Sequence, residues 1–328
     1  MRKRVWPLIV LPLCVVLAVL AYRGGRWLEN RNQPEQVRGD YRERLGYEAV
    51  LEVEGVPYRR RKNLTSILMM GVDRDSPGVG TRSGGQADFL RLVVLDSSAK
   101  KVTQIQIDRD TMTPITILGI LGDKSGVRTA QICLSHGYGD GGAQSCELTM
   151  DAVSNLLFGT PIDFYVAMNL NGIAALNDAV GGVTVTLEHD FSALDPAMTP
   201  GTTLTLRGKQ AEYFVRNRKD IGVGTNEARM ARQQAYLDQL AEQLDTKLSN
   251  DKDFAGMLYD ALEDYLTTDL SRGRLINETW NAMGYERLPL IELAGEHRVG
   301  EDGFMQFIVD EDALRRKVME LFYEPLPQ

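Results

Sequence analysis

The sequence predicts an α/β fold, a three-layer α-β-α sandwich on a central mixed sheet, preceded by one transmembrane helix. Three observations carry this. An uncharged apolar run, Val5–Tyr22, opens the chain; strand patterns begin only after Asn63; and from there strand and helix patterns alternate, which predicts a sheet covered on both faces.

The apolar run follows Arg2-Lys3-Arg4 and is at the short end of what about 30 Å of hydrocarbon requires. Ala18-Val19-Leu20-Ala21 lacks the small-x-small spacing of a cleavage site, so residues 1–22 read as an uncleaved signal anchor. The positive head favours a cytoplasmic N-terminus and an extracytoplasmic remainder, although Arg23, Arg26 and Arg31 blunt that bias. Residues 23–62 are polar with little apolar periodicity and predict a stalk, partly helical around Val37–Leu51.

Leu64–Gly71, Phe89–Leu95 and Val102–Ile107 read as strands, the first two largely buried and the third alternating. Charged residues stand at their ends: Asp73 and Arg74, Asp88, Arg109 and Asp110. In open α/β sheets, sites collect at such strand ends. Helices are expected over Thr129–Gly137, Cys146–Phe158, Gly172–Val180, Gly208–Val215, Asn226 to about Leu248, Phe254–Tyr265, Leu275–Met283 and Asp312–Phe322. Strands are expected at Phe164–Met168, Val183–Leu187, Leu288–Leu293 and Phe304–Val309. Met230, Leu237, Leu240 and Leu244 give the long helix an apolar stripe, with Arg229 and Gln233 near its margin.

Tyr213–Arg218 and Arg229–Gln234 outline an anion-binding cluster. If residues 215–218 are extended, Arg216 and Arg218 share one side, and Arg229 and Gln233 are i,i+4 on the following helix. Crowded guanidiniums need an anion or carboxylates among them, and the planar fork suits phosphate oxygens. Pairing with surface acids such as Asp220 and Glu227 is the alternative, and spacing leaves both open.

A chain of 328 residues, 43% apolar and 25% charged, is ordinary for a globular protein, while a net charge of −8 argues against a nucleic-acid partner. Three cysteines without a CxxC, and three histidines in no ligand pattern, make a structural zinc site unexpected. Ser135-His136 is no catalytic dyad, since neighbouring helical side chains diverge. Cys133 and Cys146 flank a glycine-rich turn. In an oxidising exterior they form a candidate disulfide, whose loop size corresponds to roughly 3 kcal/mol of stabilisation.

Seven blocks occur in order: Ile67–Asp73, Ala87-Asp88, Ile107–Thr111, Pro161–Val166, Asp178–Val183, Tyr213–Arg218 and Arg229–Gln233. Together they resemble the LytR-CpsA-Psr family of cell-wall glycopolymer ligases. The resemblance implies a catalytic domain over residues 63–248, with 249–328 as a C-terminal α/β extension packed on it. It implies a phosphotransferase that moves a glycopolymer from a polyprenyl-pyrophosphate carrier onto peptidoglycan, making a phosphodiester. Asp73 and Asp88 are then the Mg2+ carboxylates, and Asp73, Asp88 and Arg109 the catalytic set. Arg82, Gln86, Arg109, Arg216, Arg218, Arg229 and Gln233 are the implied pyrophosphate-binding set. Family members often have Arg-Ser-Asp where this chain has Gln86-Ala87-Asp88, with Arg82 upstream, and a proline where it has Asp108.

The chemistry of these residue types agrees. Hard carboxylates holding Mg2+ beside guanidiniums neutralise a departing pyrophosphate without a nucleophilic side chain. Apolar residues on 115–121, 153–158 and 173–176 could line a groove for the lipid tail or be ordinary core. A membrane-anchored regulatory or lipid-binding protein, and a lipid pyrophosphatase, are the competing readings.

Overall fold

The computed structural model describes residues 50–53, 55–74, 84–119, 122–216, 226–251 and 253–326. The expected anchor, the first part of the expected stalk, Arg82 and Arg218 lie outside these residues, as do the side chains of Arg229 and Gln233. Among the described residues no helix is long and apolar enough to cross a membrane. The described residues divide into two compact units, one holding those within 169–266 and 271–283, the other those within 50–168, 267–270 and 284–326.

The second of these contains the central sheet. Its core is β3 (Leu64–Val72), β4 (Ala87–Asp96) and β5 (Lys101–Ile107), paired antiparallel in sequence order. Beyond β3 lie β8 (Phe164–Asn169) and then β11 (Leu266–Thr268); on β5 the short β12 (Glu286–Arg287) and β13 (Ile291–Glu292) add in parallel. The sheet is therefore mixed.

The runs predicted as buried strands are buried on both faces. Leu68, Met70, Leu90, Leu92 and Val94 belong to one core cluster, and their alternating neighbours Ile67, Met69, Arg91, Val93 and Leu95 are buried as well. On the cluster side the sheet is covered by α2 (Ala143–Leu156) and α8 (Glu311–Phe322), whose Cys146, Met150, Val153, Leu314, Val318 and Phe322 complete the core. Beneath β3 a buried ion pair joins Arg60 and Asp163 at 2.9 Å; the same carboxylate oxygen accepts from the Ser66 N–H and hydroxyl at 2.8 Å each.

Two expectations are corrected here, and one strand was not expected. Residues 129–137 are not one helix. β6 (Met112–Leu118) and β7 (Lys124–Gln131) form an antiparallel hairpin, and only the short α1 (Leu134–Gly137) is helical. The threonines and β-branched residues of β6 find cross-strand partners in β7, and that pairing outweighs local helix propensity. The end of the expected stalk is also folded: β1 (Val50–Val53) and β2 (Val56–Arg60) pair antiparallel, with β16 (Tyr323–Pro325) on β2. Residues 295–299, for which the sequence predicted no element, form β14 (Gly295–Val299), which pairs with β15 (Met305–Val309).

The other unit is built from α3 (Asn171–Ala179), the hairpin β9 (Thr184–Thr186) and β10 (Thr203–Thr205), α4 (Lys209–Arg216), α5 (Asn226–Asn250), α6 (Phe254–Leu262) and α7 (Arg272–Met283). α4 continues through Arg216, so Val215 and Arg216 are helical where extended backbone was expected, while Asn217 and Arg218 lie outside the described residues. Among the described residues the apolar stripe of α5 runs through Tyr236, Leu240, Leu244 and Leu248, and Arg232 is buried in line with it.

Candidate functional site

The site forms at one end of the β3–β4 pair. Gly71 faces Phe89 and Val72 faces Ala87, which leaves Asp88 as the extra residue of a β-bulge. A Cβ on Gly71 would stand 3.0 Å from that of Phe89, so glycine permits the close approach at which the register shifts. The Asp73 N–H donates to the Gln86 carbonyl at 2.9 Å. Asp73 and Asp88 thus project from adjacent strands at the same edge, and both are exposed.

Residues 132–133 bind the neighbouring segments to this edge. The Ala87 N–H donates to the Cys133 carbonyl at 3.1 Å, the Cys133 N–H to the Arg109 carbonyl at 3.2 Å, and the Ile132 N–H to the Thr111 carbonyl at 2.8 Å. The turn after β5 is thereby laid beside the bulge. Arg109 reaches across: its NH1 pairs with Asp88 at 2.5 Å, its NH2 donates to the Gln86 side-chain carbonyl at 2.5 Å, and its Nε lies 3.6 Å from Asp110. Burial works against its charge, but the Cys133 sulfur, Asp88 and Asp110 outweigh this and hold its pKa above the ordinary value. The fork is held in place by the protein while the Arg109 side chain stays 29% exposed, and an incoming phosphate can approach it.

Gln86 was expected to bind pyrophosphate. Its side-chain carbonyl oxygen is turned to Arg109, so it offers a substrate only its amide N–H groups. The segment before it is anchored. His136, buried in α1, faces the Gly84 carbonyl through Nδ1 at 2.8 Å and the Gly85 carbonyl at 3.3 Å, and burial lowers its pKa, keeping the ring neutral. Nδ1 is then the protonated nitrogen, and Nε2 faces the Cys146 thiol at 3.8 Å. His136 thus supports the Gly84–Gly85 backbone, as its exclusion from a catalytic dyad allows.

The expected Cys133–Cys146 disulfide is not formed; both are buried free thiols. Their sulfurs have different partners, Cys133 facing Arg109 at 3.5 Å and Cys146 facing His136. Burial pushes the Cys133 thiol up to about 11 despite the adjacent guanidinium, and pushes Cys146 up further, so neither is a thiolate at neutral pH.

Asp73 and Asp88 suit a hard, oxygen-seeking cation by type and by common placement at one strand edge. Among the described residues no group of three His, Cys, Asp or Glu side chains could hold a metal ion, so an ion here would rest on two carboxylates with water or phosphate completing its shell.

In the helical unit, Arg216 ends α4, exposed, and pairs with Glu212 at 3.1 Å. Arg229 and Gln233 are on α5 with the expected i,i+4 spacing. Arg232, one position from Gln233, is turned inward: its Nε donates to the Phe214 carbonyl at 3.2 Å and its guanidinium lies 5.5 Å from the Phe191 ring centre. It ties α5 to α4, a structural role that its place within an arginine-rich block did not distinguish.

The LytR_cpsA_psr family model matches residues 33–321, a wider span than the seven blocks. A teichoic acid transferase from Halalkalibacterium halodurans, TagU, named for transfer from a polyisoprenyl carrier to peptidoglycan, is 30% identical over 70% of this chain and 69% of its own length. TagU of Bacillus subtilis is 32% identical over 49% and 46% of the two chains. Biofilm regulatory protein A of Streptococcus mutans is 33% identical over 47% and 38%. Among solved structures, B. subtilis TagV aligns with a TM-score of 0.56 at 22% identity, covering 79% of this chain and 97% of TagV. A structure described as TagT bound to LI-WTA aligns at 0.55 and 21% identity, covering 79% and 90%. These structures share the fold.

Proposed function

The chain belongs to the LytR_cpsA_psr family, and from that premise we propose that it is a phosphotransferase that moves a glycopolymer from a polyprenyl-pyrophosphate carrier onto peptidoglycan, forming a phosphodiester in cell-wall assembly. The observation that carries the reading is the Arg109 guanidinium, held by Asp88 and Gln86 at a strand end and still open to an anion.

Transfer breaks the bond between the bridging pyrophosphate oxygen and the phosphorus that bears the glycopolymer. A sugar hydroxyl of peptidoglycan supplies the new oxygen, and polyprenyl phosphate leaves. Negative charge grows on the departing phosphate, and a positioned guanidinium stabilises that charge without reorganising at the moment of reaction. Arg109 is assigned to this role, with Arg82, Arg216, Arg218, Arg229 and Gln233 binding the remaining oxygens and Gln86 acting chiefly through Arg109. Asp73 and Asp88 are assigned to Mg2+, which when bound would neutralise charge on the pyrophosphate. Val5–Tyr22 is assigned as the single-pass anchor, with the folded chain extracytoplasmic, where both substrates meet.

A regulatory or lipid-binding role is the second reading. It is favoured by the similarity to Biofilm regulatory protein A and by the neutral Gln86 at a position where the family often carries a cation. The test supplies the full-length protein with a lipid-pyrophosphate-linked glycopolymer, peptidoglycan and Mg2+. Polymer joined to peptidoglycan through a phosphodiester is expected. Release of polymer phosphate into water alone would make it a pyrophosphatase, and neither product would favour the regulatory reading.

A further inference from the structure

We propose that the β14–β15 hairpin is a positioning element for Arg109, with His297 and Asp108 as its positioning pair. The proposal rests on the assignment of Arg109 to the phosphate. Arg109 lies on the turn of residues 108–111 between β5 and β6, outside regular structure. A long side chain on a turn has rotamer entropy to lose, and the backbone beneath it must be fixed before the fork can be aimed.

The hairpin fixes that backbone at three points. The Phe307 N–H donates to the Asp110 carbonyl at 2.8 Å, beside a parallel bridge between Thr111 and Phe307. His297 Nε2 meets an Asp108 carboxylate oxygen at 3.0 Å. The Gln131 amide donates both to the Asp110 carboxylate at 3.0 Å and to the Met305 carbonyl at 2.6 Å, stitching β7, the turn and the hairpin together.

Asp108 uses both oxygens. One accepts the Asp110 N–H at 2.8 Å and closes the turn locally; the other holds His297. His297 is itself oriented, because it stands directly opposite Phe307 in the hairpin register and its ring lies 4.8 Å from the Phe307 ring, tilted by 50°. All five residues of β14 are exposed, and in β15 only Phe307 is buried. The hairpin therefore adds little to the core, while its polar contacts concentrate on the turn that carries Arg109.

Placement of a catalytic group matters steeply: about 1 Å of displacement can cost on the order of 100-fold in rate. The experiment compares full-length His297→Phe, which keeps a ring against Phe307 but removes the nitrogen, with His297→Gln, which keeps a donor. Arg109→Ala is run in parallel. His297→Phe should lower kcat by about tenfold with little change in KM, as expected when an interaction realised in the transition state is lost. His297→Gln should recover most of that loss. Backbone amide exchange over residues 108–111 should be faster in His297→Phe and near wild type in His297→Gln. If exchange over 108–111 is unchanged in His297→Phe, the positioning role is overturned whatever the turnover does. If Arg109→Ala is inactive while His297→Phe turns over like wild type, the hairpin proposal fails and the transferase reading stands. If Arg109→Ala remains fully active, the phosphate role of Arg109 fails, and the exchange measurement alone decides what the hairpin holds.

Discussion

Replacing Arg109 with lysine keeps the charge and removes the fork. The guanidinium reaches Asp88 and Gln86 through two different nitrogens, each at 2.5 Å, with Asp110 facing a third. An ammonium is a point donor that cannot hold Asp88 and Gln86 apart while also facing a phosphate. Losing one aimed donor to developing charge costs about 2.7–4 kcal/mol, which corresponds to a 100- to 1000-fold fall in kcat. The effect on folding is small by comparison. Asp88 is 39% exposed and is solvated when it loses its partner, so the pair contributes at most about 1 kcal/mol, or a few degrees in Tm. The assay is phosphodiester formation on peptidoglycan, measured at saturating substrate alongside a thermal melt of the same preparation. Turnover within about threefold of wild type would correspond to less than about 1 kcal/mol and would refute the charge-stabilising role of Arg109. A loss matched by wholesale unfolding would refute the separation of function from stability.

Asp88→Asn should weaken Mg2+-dependent transfer far more than folding, raising the Mg2+ needed for half-maximal rate; an unchanged Mg2+ titration would remove Asp88 from the metal site. Asp163→Ala strips Arg60 of its carboxylate in a buried setting where the side chains are 6% and 3% exposed, so denaturant melts should show about 3–5 kcal/mol of destabilisation. His136 is held neutral by burial, with its pKa lowered from 6.5, so the unfolded chain takes up a proton first as the medium is acidified. The stability due to neutral His136 is complete above about pH 6.5 and falls as the pH drops toward its lowered folded value, a loss that should be smaller in His136→Gln by melts across pH. Thiol labelling of denatured, unreduced protein should modify both Cys133 and Cys146; protection of both would restore the disulfide.

The sheet was legible in the sequence because its physics is local. Leu64–Gly71 and Phe89–Leu95 are largely apolar, broken only by Thr65, Ser66 and Arg91, and such stretches of strand length bounded by charged residues are strands buried on both faces. The candidate residues at their ends were legible for the same reason, since Asp73, Asp88 and Arg109 stand where the apolar pattern stops. What brings Arg109 onto Asp88 was not. The bulge depends on how closely Gly71 can approach Phe89, and a register shift leaves no trace in hydrophobic period. Residues 129–137 contain strand, turn and helix within one short stretch, and only pairing with β6 decides where one ends.

The least legible part is the one that the site depends on for its aim. His297 and Asp108 are 189 positions apart, and β14 is exposed along its whole length with a polar centre, so neither composition nor periodicity marks it as a partner of the Arg109 turn. A catalytic arginine can be found from its motif because its chemistry dictates its type. The residues that hold it need only supply a donor or an acceptor in the right place, a demand that many side chains satisfy. Substitution tolerance should therefore divide along this line: at Arg109 even lysine fails, whereas at position 297 glutamine, unlike histidine in shape but equal to it as a donor, serves.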